Sequence, residues 1–78
     1  MSLRVRFVGL HPVIEPSEPE EGWYSLVLQK EVPIEEILRL FGVQESGISV
    51  LKNGVSADLK EGVKNGDEVL VVIMVLGG

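Results

Sequence analysis

Residues 68–78 read EVLVVIMVLGG, and the way this stretch is buried decides the fold. From Val69 to Leu76 it carries no charge, but it is far shorter than the roughly 18 apolar residues a membrane-spanning helix needs. A short apolar run of this kind is a buried strand. A strand with one wet face alternates apolar and polar side chains, and this one does not. Val69, Val71, Ile73 and Val75 form one set, Leu70, Val72, Met74 and Leu76 the other, and both are wholly apolar. The spacing predicts a strand from about Glu68 to Leu76, followed by Gly77 and Gly78, which have no side chain to pack.

Working outward, KEGVKNGDEV turns at Asn65-Gly66, and GISVLKNGVSADL reads as a hairpin closed by Asn53-Gly54, the preferred pair for a type I′ turn. VPIEEILRLFG changes period: Ile34, Ile37, Leu38 and Phe41 fall at i, i+3, i+4 and i+7, one face of an α-helix. Pro33 suits the first helical position, Glu35 and Glu36 complement the positive end of the dipole, and Gly42 can supply a left-handed C-terminal cap. WYSLVLQKEV alternates Tyr24, Leu26 and Leu28 with Ser25 and Gln29 as a strand, and LRVRFVGL sets Leu3, Val5 and Phe7 against Arg4 and Arg6 as the first one. Between them, residues 11–22 gather three prolines, four glutamates and a glycine, and read as a solvated loop. One helix for one mixed sheet is a two-layer α+β domain.

At 78 residues the chain is expected to be a single domain, 1–78, near the lower limit for a core without staples, ending in a flexible Gly-Gly tail. With no cysteine, any thiol chemistry must come from a partner. No signal-peptide pattern is present, which points to the cytoplasm. A net charge of −5 argues against nucleic acid and anionic membrane surfaces.

In a two-layer domain the helix dries one sheet face only. The second apolar set of the last strand is therefore either covered by the 11–22 loop or left as a patch awaiting a partner. The glycines favour a partner, because a chain without Cβ atoms can enter a channel too narrow for side chains and there present its terminal carboxylate. A carboxylate is a poor electrophile and needs ATP activation to an acyl-adenylate. The chain has no nucleotide motif, so the activating machinery is another protein.

The terminal VLGG, the NGDEVLVV turn and strand, the VLKNG strand and turn, and the single helix IEEILRLFG after two strands together resemble the ubiquitin-like β-grasp proteins. Within them the chain resembles the small sulfur carriers, the small subunit of molybdopterin synthase and the thiamine-pathway carrier. The resemblance implies a β-grasp fold of four to five mixed strands with one helix on one face, and first and last strands parallel at the centre. It also implies that the Gly78 carboxylate is adenylated by an E1-like adenylating enzyme. Conversion to a thiocarboxylate follows, and its sulfur passes to a synthase partner in molybdopterin or tungsten-pterin, thiamine or thiolated-tRNA biosynthesis. Gly77 and Gly78 would thread the activating site, while Leu70, Val72, Met74 and Leu76 would form the apolar docking patch. The acidic loop from His11 to Gly22, and Leu76 where these tails more often have a small or polar residue, depart from the family pattern.

Other signals read as structural. His11 has no second histidine or cysteine to complete a metal site, and no metal or cofactor is expected. Glu20-Glu21 and Glu35-Glu36 are adjacent and do not converge, and Trp23 reads as core or loop-anchoring packing. No nucleophile with its base is present, so the chain reads as a substrate of enzymes and not as an enzyme. Two alternatives use the same residues. One is a protein modifier joined through Gly78 to lysines, and the other is an interaction module with an inert tail.

Overall fold

The computed structural model describes residues 1–74; the expected tail, Gly77 and Gly78, and the last part of the expected strand, Val75 and Leu76, lie outside the described residues. Among the described residues seven strands and one helix follow in the order β1 (Leu3–Val8), β2 (Trp23–Leu26), β3 (Val32–Pro33), α1 (Ile34–Leu40), β4 (Ile48–Lys52), β5 (Val55–Ser56), β6 (Gly62–Val63) and β7 (Glu68–Ile73). Five of them form a mixed sheet in the order β2-β1-β7-β4-β5, and β3 and β6 pair separately as a two-stranded ribbon. β1 and β7 run parallel in register from Arg4↔Glu68 to Val8↔Val72, and the other neighbours in the five-stranded sheet are antiparallel. Among the described residues no helix is long and apolar enough to cross a membrane.

The core lies between α1 and one face of this sheet. Ile34, Ile37, Leu38 and Phe41, the four positions of the helical stripe, are completely buried. They meet Leu3 and Val5 of β1, Tyr24 of β2, Val50 of β4, Val63 of β6, and Val69 and Val71 of β7. Burying side chains of this size is worth about 1.5–3 kcal/mol each, which is why so short a helix holds its place. Phe41 also meets Phe7 and Tyr24 edge to face, with centroids 5.0 and 5.1 Å away.

The helix ends where the sequence indicates but begins differently. Gly42 takes φ 67°, and the Gly42 and Val43 N–H groups donate to the carbonyls of Arg39 and Leu38, a Schellman closure. Pro33, however, is the extended N-cap residue and ends β3, so the helix starts at Ile34. No side chain caps it; the Ile34 and Glu35 N–H groups donate to the carbonyls of Glu61 and Leu59. The approach of residues 59–61, distant in sequence, supplies what an N-cap side chain would have supplied.

The second strand is shorter than its alternation predicts. It stops at Leu26, and Leu28 leaves the sheet because the Asn65 amide holds its backbone, accepting from the Leu28 N–H at 2.8 Å and donating to its carbonyl at 2.9 Å. The 11–22 loop is not simply solvated. The Val13 and Ile14 N–H groups both donate to the Phe41 carbonyl, and the Tyr24 hydroxyl donates to Glu15 at 2.9 Å. Burial first, and then Glu15's hydrogen bond and charge, raise the Tyr24 phenol above its ordinary pKa and keep it neutral. Both turns of the Asn-Gly type form, with Asn53 and Gly54 at φ 51° and 83° as a type I′ turn requires.

The start of β7 is pinned by a small polar network. The Asp67 carboxylate, nearly buried, accepts from the Asn53 amide at 3.1 Å and from the Lys64 N–H at 3.0 Å. Asn53 in turn accepts from the Glu68 N–H. Burial works to raise the Asp67 pKa. The two hydrogen bonds, with the charges of Lys64 and Lys52, outweigh it and leave the carboxyl below its usual value. A carboxyl depressed in the folded state stabilises the fold above its unfolded pKa of about 3.9, and that contribution is lost as the pH falls through the folded value. Urea unfolding at neutral pH and again below about pH 4 is expected to show that Asp67→Asn is the less stable protein at neutral pH. It should also lose less stability than the wild type on acidification; an equal acid loss in both would contradict the network.

Candidate functional site

Pairing partners on neighbouring strands share a face, so the register sorts the side of the sheet away from the helix into rows. One row crosses Trp23, Arg6, Leu70, Leu51 and Ser56 from β2 to β5. The next, toward the end of β7, holds Val8, Val72 and Ser49, and the row before it holds Ser25, Arg4 and Glu68. The earliest row is polar and closed on itself, since Arg4 donates to Glu68 at 2.6 Å. With both partners about half exposed the pair contributes little to stability, but it neutralises that edge.

The two later rows contain the apolar strip. Leu70, Val72 and Leu51 are half-buried, and Val8 is 42% exposed. Met74 follows β7 with 54% of its surface exposed, its N–H donating to the Gly47 carbonyl at 2.8 Å. At the same end Gly9 takes φ 82°, and a Cβ there would collide with Ile73 Cγ2, so the chain leaving β1 passes hard against the end of β7. Of the two coverings open to the second face, the 11–22 loop does not supply one over Leu70 and Val72. Its first half packs against the end of α1, where Val13 and Ile14 lie beside Gly42. Its second half, Ser17 to Glu20, borders Trp23 and Ser25 at the sheet edge.

Of the expected docking residues, the structure places Leu70 and Val72 side by side on this open face and Met74 just beyond them; Leu76 lies outside the described residues, as do Gly77 and Gly78. Trp23 is a correction. It is not core but a half-buried side chain of the open face, with the guanidinium groups of Arg4 and Arg6 at 4.6 and 5.7 Å from its ring centroid, while its backbone pairs with Glu20 and so ties down the end of the loop. The signal was present in the alternation: Arg4 and Arg6 are out of phase with Leu3 and Val5, and Trp23 is out of phase with Tyr24. Leu51 and Val8 were equally readable from the phase of their strands. His11 is exposed, and among the described residues no cluster of three or more His, Cys, Asp or Glu groups is arranged to hold a metal ion. The face has a half-buried apolar centre at Leu70, Val72 and Leu51, with Arg6 beside it on β1.

The arrangement is a β-grasp fold: a mixed five-stranded sheet, parallel at its centre, with, among the described residues, a single helix on one face. The chain is similar to the crystal structure of SAMP1 from Haloferax volcanii, with a TM-score of 0.68 over 100% of both chains and 19% sequence identity. No protein-family model matches the sequence, and no curated protein matches it.

The two faces of β7 can be compared with one substitution made at neighbouring valines. Val71→Ala removes methyls from a fully buried site and is expected to cost about 2 kcal/mol, whereas Val72→Ala on the open face should cost less than about 1 kcal/mol. Chemical denaturation measures both, and equal costs would mean that the open face is buried as deeply as the core.

Proposed function

We propose that the chain is a sulfur carrier that works through the carboxylate of Gly78. The observation that carries the reading is the position of β7. It is flanked by β1 and β4 in the sheet, presents half-buried Leu70 and Val72 on the face without a helix, and is followed in sequence by Val75-Leu76-Gly77-Gly78. The likeness to SAMP1 supports the fold on which such a mechanism rests.

In this reading an E1-like adenylating enzyme docks on the strip formed by Leu70, Val72 and Met74, continued by Leu76. Docking there holds Gly77 and Gly78 at the reacting centre, and orientation of this kind can supply several kcal/mol of a barrier. An oxygen of the Gly78 carboxylate attacks the α-phosphorus of ATP and pyrophosphate leaves. A sulfur donor at the oxidation level of sulfide then displaces AMP from the acyl-adenylate, leaving a thiocarboxylate. A synthase partner takes the sulfur for a pterin cofactor, thiamine or a tRNA base and returns the carboxylate. The protein itself contributes recognition and the acyl group, and no catalytic side chain. The reading requires Gly78 to be the last residue of the protein in the cell.

The first step is directly measurable. With the E1-like enzyme of the same organism, the chain is expected to support exchange of labelled pyrophosphate into ATP, and removal of Gly78 should abolish it while leaving the folded sheet intact. Absence of exchange with the intact chain would reject the carrier reading and the modifier reading together, since lysine conjugation begins with the same adenylate. Exchange followed by transfer to protein lysines in place of sulfur would favour the modifier.

A further inference from the structure

We propose that Arg6 is the cation by which this docking face selects its partner: it takes a carboxylate carried beside the apolar residues that cover Leu70, Leu51 and Val72. The inference rests on the carrier reading, because it names the chemistry of the partner surface at the same face. The register puts Arg6 directly beside Leu70, in the row that holds Leu51, and diagonally next to Val72. The guanidinium lies over Trp23, on the β2 side of Arg6, so a partner carboxylate bonded to it is one to two strand spacings, roughly 5–10 Å, from a residue packed on Leu70.

The two arginines of the face are not equivalent. Arg4 is engaged by Glu68 at 2.6 Å and shares a surface hollow with Glu20 and Glu21. Arg6 has no carboxylate within ion-pair distance among the described residues; its guanidinium lies over Trp23 and beside Gly22. A guanidinium held by cation–π attraction over an aromatic ring keeps N–H donors available to meet a carboxylate. In a chain of twelve acidic and seven basic residues, the charged residues paired across this face are Arg4, Arg6 and Glu68, and the loop carboxylates Glu18, Glu20 and Glu21 border the Arg4 and Trp23 edge, which leaves Arg6 as the arginine beside the apolar strip. The acidic chain as a whole suits a basic partner, whereas this face suits an apolar segment bearing an acidic residue. The rest of the surface can then repel that segment unless it docks in the one register that meets Arg6, which is how charge confers specificity more than affinity.

The test uses the full-length chain and the E1-like enzyme of its own organism, with pyrophosphate exchange as the readout. Added salt is expected to raise the wild-type KM, and Arg6→Glu to raise KM for the chain by at least about tenfold with kcat little changed and to remove that salt dependence. Lys30→Glu makes the same charge change in the exposed connection between β2 and β3 and is expected to leave KM unaltered. Arg6→Gln keeps much of the stem and should give an intermediate KM. It serves as the measured variant if the thermal unfolding midpoint shows that Arg6→Glu does not fold. If the wild type is exchanged efficiently and both Arg6 variants match its KM, or if Lys30→Glu raises KM as much as Arg6→Glu, the proposal is overturned while the carrier reading stands. If the wild type supports no exchange, it is the carrier reading that fails.

Discussion

The parallel pairing of β1 with β7 is the contact on which the rest of the structure depends. It joins strands from opposite ends of the described chain, and a parallel pair cannot be closed by a tight turn, so all of residues 9–67 serve as its crossover. Once β7 is paired on its other edge by β4, both of its edges are satisfied and only its faces remain to be used. The helix takes one face, through Val69 and Val71, and the other stays open at Leu70 and Val72. Among the described residues, the apolar character of both sets is thus two separate facts, a core on one face and an uncovered apolar strip on the other.

Much of this was legible because the signals are local. The alternation of LRVRFV, the helical stripe from Ile34 to Phe41, the Gly42 cap and the Asn53-Gly54 turn each depend on a few neighbouring residues, and each forms as read. Three of the misreadings involve groups brought together from a distance. Pro33 stays extended because carbonyls of Leu59 and Glu61 receive the first helical N–H groups. β2 ends early because a side chain 37 residues away, Asn65, takes over the backbone of Leu28. The acidic loop folds against the end of α1 because the Phe41 carbonyl, freed at the helix terminus, accepts from Val13 and Ile14. Periodicity carries no information about such partners.

The open face was legible in part. Leu70, Val72 and Met74 follow from the failure of β7 to alternate. That they sit beside Leu51, Val8 and an arginine whose guanidinium lies over Trp23 follows only from the register of four strands. In the proposed reading the sheet fixes the docking surface, and the sequence leaving it supplies glycines where a partner's channel would exclude side chains.

The central claim concerns the carboxylate of Gly78, and the most direct measurement is the intact mass of the protein isolated from its own host without a C-terminal tag. The account predicts a fraction heavier by one oxygen-to-sulfur exchange, placed at Gly78 by fragmentation and restored from the unmodified form by the host's E1-like enzyme, ATP and a sulfur donor. A mass that stays at the free carboxylate under those conditions, or a chain that continues past Gly78, would contradict it.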